Sequence, residues 1–309
     1  MTKPILVGFD PVSTDHAPVA FGAAAARFTG APLILVAVSA RQVTSTTGLD
    51  HDLCLDASVP LSRMKQELEA EGIAVECREV GGLSAASALH RAAEEQDAGL
   101  LVVGSTDRGT VGRILPGSTA DRLLHGAPCP VAIVPHGWKS RDEFHTIGVA
   151  YVDSEEGREA LRGAHALGRR AGATLRVITV VKVSPTWFSE TEAKTPPRPP
   201  KHMEEVEGEH RVLAEAALRR EVTQLGDDVP IEAEAFIGDP AEILVTVSEH
   251  LDLLVMGSRG YGPLRAVLLG GVSRQVAAQA HCPVIVLPRG VRAPLEELLA
   301  ASRSAGAVP

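Results

Sequence analysis

Short runs of aliphatic and β-branched residues alternate with longer segments of helical periodicity along the chain. The helical segments are about 10 to 20 residues long, and in the first half the aliphatic runs lie near 4–9, 32–38, 73–80, 99–103 and 130–134. This order predicts strands connected by helices. Because such units wind right-handed, the pattern favours a five-stranded parallel sheet with helices on both faces.

The second half of the chain repeats landmarks of the first. Two segments recur nearly unchanged, LLVVGST at 100–106 as LLVMGSR at 253–259, and CPVAIVP at 129–135 as CPVIVLP at 282–288. Both recurrences are 153 positions apart, whereas the first strands, at Ile5 and Ile147, are 142 apart. The sequence therefore predicts an internal duplication, and we assign most of the added residues to a proline-rich surface loop at 186–201.

The repeat divides the chain into two domains of the usual size. We expect a first domain at 1–138, a linker at 139–144, a second domain at 145–290 and a C-terminal tail at 291–309, which either frays or docks as a short helix.

Composition narrows the class of protein. The chain has 309 residues and a net charge of -9, with 45% hydrophobic and only 3% aromatic residues. Negative charge and few stacking side chains predict no nucleic-acid partner. Without a run of about 18 apolar residues or a signal-peptide pattern, we expect a cytoplasmic protein with no membrane association. The four cysteines lack C-x-x-C spacing, which predicts reduced, mostly buried thiols and no metal site.

Glycines follow the fourth strand of each half, at the sheet edge where open parallel sheets bind ligands. In the second half they are Gly257, Gly260 and Gly270, the last just before a helix. Glycine lets the backbone approach a ligand, and free N–H groups at a helix N-terminus favour phosphate. Glycine-rich loops are also common in purely structural turns. The prediction of a nucleotide site therefore depends on the spacing of these glycines and on its repetition in both halves.

The spacing G-x2-G-x9-G-[ST] resembles the nucleotide-binding signature of ATP-binding universal stress proteins, and the chain is similar to that family over nearly its whole length, in tandem. Asp10 after the first strand, the segment GDPA at 238–241 and the closing Cys-Pro-Val strands resemble the family as well. The resemblance implies two tandem Rossmann-like domains of the HUP or Usp type, packed as a pseudo-two-fold dimer through 131–134 and 284–287. It also implies a stress-response regulator that binds ATP, alone or with Mg²⁺, and is not an enzyme. A further homodimer is compatible with this arrangement.

The resemblance also implies the residues of two nucleotide sites. In the first, backbone and apolar groups contact the base, Asp10 the ribose and 117–119 the phosphates; its residues are Gly8, Asp10, Ala37, Val103, Gly104, Gly117, Ser118 and Thr119. The second consists of Ala150, Val180, Met256, Gly257, Gly260, Gly270, Val272 and Ser273.

Each copy departs from the signature. Asp107 replaces the second glycine of the first loop, and Gly271 replaces the hydroxyl residue of the second. Without a gap Val152 aligns with Asp10, whereas a one-residue gap would bring Asp153 to that position.

In the second copy, loss of a hydroxyl donor to phosphate costs about 1.5 to 3 kcal/mol of binding free energy. In the first copy, the Asp107 carboxylate costs roughly 1 to 3 kcal/mol, and the neighbouring Arg108 and Arg113 offset this repulsion. We expect the first domain to bind nucleotide more strongly.

Other functions lack their motifs. The first strand is not followed by G-x-G-x-x-G, and neither a P-loop nor a G-x-S-x-G elbow occurs, so no catalytic residue is predicted. Two alternatives stay open: an interaction module that has lost nucleotide binding in one or both domains, and a slow Mg²⁺-dependent ATPase. Asp10 also fits a turn or helix cap, and Ser118 also fits an N-cap.

Overall fold

The computed structural model describes residues 3–40, 57–105, 119–124, 126–141, 143–182, 201–258, 271–288 and 295. The first half contains β1 (Ile5–Phe9), α1 (Ala17–Thr29), β2 (Leu33–Ala40), α2 (Ser58–Ala70), β3 (Val75–Gly82), α3 (Ala85–Glu95), β4 (Leu100–Gly104), α4 (Thr119–Leu124) and β5 (Val131–Val134). The second half contains β6 (Thr146–Ala150), α5 (Glu155–Ala171), β7 (Thr174–Val181), α6 (Lys201–Thr223), β8 (Ile231–Ile237), α7 (Pro240–Val247), β9 (Leu253–Gly257), α8 (Gly271–Gln279) and β10 (Val284–Leu287).

The ten strands of the described residues form one sheet in the order β3-β2-β1-β4-β5-β10-β9-β6-β7-β8. Pairing within each half is parallel. The predicted fold class, two α/β domains each with a five-stranded parallel sheet, is confirmed. The strand order of one half is the reverse of the other, so corresponding strands lie at equal distances from the boundary between β5 and β10.

Antiparallel pairing of β5 with β10 joins the two halves. Ala132 lies opposite Ile285, with Val131 opposite Val286 and Ile133 opposite Val284. Ala132 and Ile285 are 153 positions apart, so each half contributes the same position to the centre of this pairing. The pairing of these strands agrees with the sequence-based expectation, and the wider packing as a pseudo-two-fold dimer stays a prediction.

Aliphatic residues on both faces of the strands form two cores. One core lies under α1, α2, α5 and α6 and includes Leu35, Val149 and Leu218. The other lies under α3, α4, α7 and α8 and includes Leu101, Leu244 and Val276. Burial on both faces explains why the inner strands β4, β5, β9 and β10 are almost uniformly apolar. Among the described residues, no helix is long and apolar enough to cross a membrane.

The helix after the first strand starts one turn earlier in the second half. Both helices end at a left-handed glycine, Gly30 in α1 and Gly172 in α5, and these are 142 positions apart. Helix α1 has 13 residues and α5 has 17. The hydroxyl of Ser154 accepts a hydrogen bond from Gly157 N at 3.0 Å, which caps α5 early. The first half forms turns over the corresponding stretch, 10–16.

The segment between the two domains is held by Asp252, whose carboxylate is buried. One carboxylate oxygen accepts hydrogen bonds from the backbone N–H groups of His145, at 2.7 Å, and Thr146, at 2.9 Å. The other pairs with the guanidinium of Arg141. The predicted linker residue Arg141 is therefore tied to the second half.

Candidate functional site

Close packing against helices explains the glycines at the carboxyl edge of the first half. A Cβ added to Gly8 would lie 3.1 Å from Leu89 Cδ1 of α3, and one added to Gly104 would lie 3.0 Å from Pro18 Cγ of α1. Each glycine lets a helix approach a strand end closely. These residues are consistent with a ligand site without requiring one.

Asp10 follows β1 directly and is exposed. Its Oδ1 accepts a hydrogen bond from Val12 N at 3.1 Å, so the side chain closes an Asx turn. The turn role considered for this residue is thus observed. A carboxylate has about four acceptor positions, so this single bond does not exhaust its capacity.

Ala37 and Val103, the predicted base contacts, are buried on opposite faces of the sheet. Ala37 belongs to the core under α1 and Val103 to the core under α3. Only one of these side chains can therefore face a given ligand, and the other could contribute only through its backbone.

Asp15, which the sequence analysis did not single out, organises the same edge. Its Oδ1 accepts hydrogen bonds from Ala17 N at 3.1 Å, at the start of α1, and from Gly137 N at 3.3 Å. Its Oδ2 lies 3.1 Å from His136 Nδ1. Backbone N–H of His136 also donates to the hydroxyl of Ser105 at 3.0 Å. Asp15 therefore connects the start of α1 to the residues after β5.

In the second half, the hydroxyl of Ser273 is turned toward backbone. Ser273 is 3% exposed, and its Oγ lies 3.2 Å from the carbonyl oxygen of Gly257 and 3.1 Å from that of Ser258. A hydroxyl has one proton to donate, and here it is directed at these carbonyls. This residue of the predicted second site therefore ties α8 to the end of β9.

The early start of α5 also changes the second site. A Cβ added to Gly257 would lie 2.9 Å from Glu156 Cβ, so the first turn of α5 packs directly on the strand exit. That turn carries Glu155 and Glu156, whereas the first turn of α1 carries no acidic residue. Negative charge at this place opposes phosphate binding.

The remaining second-site residues within the described ranges share one core. Ala150, Met256 and Val180 all lie under α7 and α8, and Val272 packs against the same core. Because Ala150 pairs with Ile178, and Gly8 with Val36, Val180 corresponds to Val38 rather than to Ala37. The residues predicted from the second strand of each half, Ala37 and Val180, are therefore one position away from corresponding to each other.

The structure places Thr119 at the start of α4. Gly117, Ser118, Gly260 and Gly270 lie outside the described residues, as does Asp107. Within the described ranges, no group of three or more His, Cys, Asp or Glu side chains could hold a metal ion.

Strand order, helix layers and a duplicated carboxyl edge define a tandem, doubly wound α/β protein. The chain belongs to the universal stress protein family, whose model matches residues 1–135 and 143–288.

Relatives from several organisms agree with this assignment. A universal stress protein of Mycobacterium tuberculosis is 30% identical over 228 residues, covering 71% of this chain and 74% of that protein. One from Mycolicibacterium smegmatis is 28% identical over 292 residues, covering 92% and 96%. A crystal structure of a universal stress protein from Archaeoglobus fulgidus superposes with a TM-score of 0.66 and 23% identity, covering 93% of this chain and 96% of that one.

Proposed function

We propose that this tandem universal stress protein is a regulatory adenine-nucleotide-binding protein whose first domain holds the nucleotide. The observation that carries the proposal is the difference between the two edges. In the first half, an exposed carboxylate at Asp10 stands beside glycine-lined strand ends. In the second half, the corresponding position is Val152 and the hydroxyl of Ser273 is directed at backbone carbonyls.

The groups of the first half fit a nucleoside with phosphates. Asp10 can accept hydrogen bonds from ribose hydroxyls, and Gly8 and Gly104 allow backbone contact with the ligand. The proposed phosphate contacts are Gly117, Ser118 and Thr119. The bound nucleotide would supply a signal that depends on its concentration, and no catalytic step is assigned to the protein.

The edge of the second half is less favourable for phosphate than the edge of the first. Glu155 and Glu156, in the first turn of α5, add negative charge beside the exit of β9 at Gly257. We propose that this domain binds nucleotide weakly or not at all and serves as the structural partner of the first.

Calorimetric titration of the full chain with ATP, with and without Mg²⁺, tests the assignment. D10N keeps the Asx turn, because asparagine forms the same turn, but removes the charge. We expect it to lower ATP affinity about tenfold, which corresponds to the loss of roughly 1.5 kcal/mol from a charge-assisted hydrogen bond.

The matched control is D153N, which changes the exposed aspartate after the first strand of the second half. Neither D153N nor S273A is expected to change ATP affinity, and the stoichiometry should be about one nucleotide per chain. Two sites of equal affinity would contradict the assignment. An effect of D153N without one of D10N would assign the nucleotide to the second domain instead. Absence of bound or released nucleotide in purified, denatured protein would favour the interaction-module alternative.

A further inference from the structure

An ion pair connects the two halves close to the β5–β10 pairing. Arg274 Nε, in α8, lies 2.8 Å from Asp121 Oδ1, in α4. The Asp121 side chain is 9% exposed and that of Arg274 is 37% exposed. The contact joins the first domain to the second through side chains, next to the strands that join them through backbone.

These two residues occupy the same position in the two copies. Asp121 and Arg274 are 153 positions apart, as are Ala132 and Ile285 at the centre of the strand pairing. When two corresponding surfaces meet with such symmetry, a position near the centre faces its own counterpart. The duplicated domain therefore has an acidic residue in one copy and a basic residue in the other where the copies meet.

We propose that Asp121 and Arg274 make this interface selective for unlike halves. Pairing of a first half with a second half places a carboxylate beside a guanidinium. Pairing of two first halves would oppose two carboxylates, and pairing of two second halves would oppose two guanidinium groups. Like charges at close range in a largely buried place are unfavourable, which is a common source of specificity at interfaces.

The charge difference between Asp121 and Arg274 affects which halves pair when the chain assembles. Identical backbone pairing at the β5–β10 edge does not by itself distinguish which half pairs with which. The charge difference does, so the chain closes on its own second half in preference to exchanging like halves with another copy. This role is independent of nucleotide binding.

Hydrogen exchange of the full-length protein tests the proposal, read at the amides of β5 and β10. R274D creates within one chain the two-carboxylate contact that paired first halves would have, and D121R creates the two-guanidinium contact. We expect protection of β5 and β10 amides to fall about tenfold in each variant, while amides of β1 and β6 keep wild-type protection. The reversed pair, D121R/R274D, should recover most of the loss.

Several controls separate this role from a local one. Asp121 also lies in the first turn of α4, where a carboxylate stabilises the helix N-terminus, but R274D leaves that role intact. If D121R does not fold, D121N/R274D serves instead, and it should exceed R274D in protection because the like charge is gone. E67R, in an exposed ion pair on α2 with Arg63, should leave β5 and β10 unchanged.

Wild-type protection in R274D would overturn the proposal. So would a reversed pair, or D121N/R274D, that is no better protected than R274D.

Discussion

The carboxylate of Asp252 lies 2.7 Å from the backbone nitrogen of His145, at the point where the chain enters the second domain. The same oxygen accepts from Thr146 N, and the other oxygen pairs with Arg141. Neutralising this buried group removes charge-assisted bonds and leaves an amide N–H₂ facing other N–H donors.

We expect D252N to lower the free energy of unfolding by about 2 to 4 kcal/mol, because hydrogen bonds to charged groups are worth about 1.5 to 3 kcal/mol each and the site is buried. Urea denaturation followed by circular dichroism measures the change. E143Q alters an exposed carboxylate nearby and should have no effect; equal destabilisation by both variants would contradict the role given to Asp252.

Cys129 and Cys282, at corresponding positions of the two halves, are both buried. Burial raises the pKa of each thiol from 9.0 to about 12. Because the thiolate is the reactive form, neither should react with a disulfide reagent at pH 8 in the native protein, whereas both should react after unfolding. Fast labelling of either thiol without unfolding would show that the site opens.

The same pKa difference predicts a dependence of stability on pH. Below pH 9 both thiols are protonated in the folded and unfolded states and contribute no slope. Between pH 9 and about 12 the unfolded state loses these protons while the folded state keeps them, so stability falls as the pH rises. The variant C129A/C282A should show a shallower fall in urea midpoint over this range; an unchanged slope would assign the effect to other groups.

Two helical glycines should respond to alanine in opposite directions. A Cβ at Gly157 would lie 1.9 Å from the carbonyl oxygen of Val152, whereas nothing lies within 4 Å of one at Gly208 in α6. G157A must displace the start of α5 and should cost about 2 kcal/mol or more. G208A should stabilise by about 0.5 to 1 kcal/mol, since alanine is favoured in helices. Thermal melting of both variants compares them directly, and the same sign for both would be inconsistent with these contacts.

Leu295 should contribute to the stability of the second domain. It is 2% exposed, and a Cβ built on Gly163 of α5 would lie 3.2 Å from Leu295 Cβ. The corresponding position of α1 is Phe21, which packs edge-on against Trp138, so Leu295 occupies a space that glycine leaves open. This contact concerns Leu295 alone, and docking of the tail as a short helix stays a prediction.

We expect L295A to lower stability by about 2 to 5 kcal/mol, the usual cost of removing a buried leucine side chain. Val59 is 72% exposed, and V59A serves as the control with a change of no more than about 0.5 kcal/mol. Denaturation midpoints of the two variants decide the question, and a neutral L295A would mean that the tail is not anchored there.

Local patterns predicted most of the fold. The predicted strands at 32–38 and 99–103 differ from β2 and β4 by only one or two residues at their ends. Aliphatic runs and helical periodicity act over neighbouring residues, so sequence shows them directly. The predicted sites were less complete. The hydrogen bonding of the Ser273 hydroxyl to backbone carbonyls and the burial of Ala37 both depend on groups that are far away in the chain.

The sequence by itself determined the duplication and the parallel sheets, because these follow from periodicity and from comparison of the two copies. Only the tertiary structure decided that Asp121 and Arg274 meet, that α5 begins a turn early against Gly257 and that Asp252 holds the entry to the second domain. Each of these is a contact between residues more than 90 positions apart in the chain. Such contacts depend on how the packed elements bring side chains together, which no local pattern encodes.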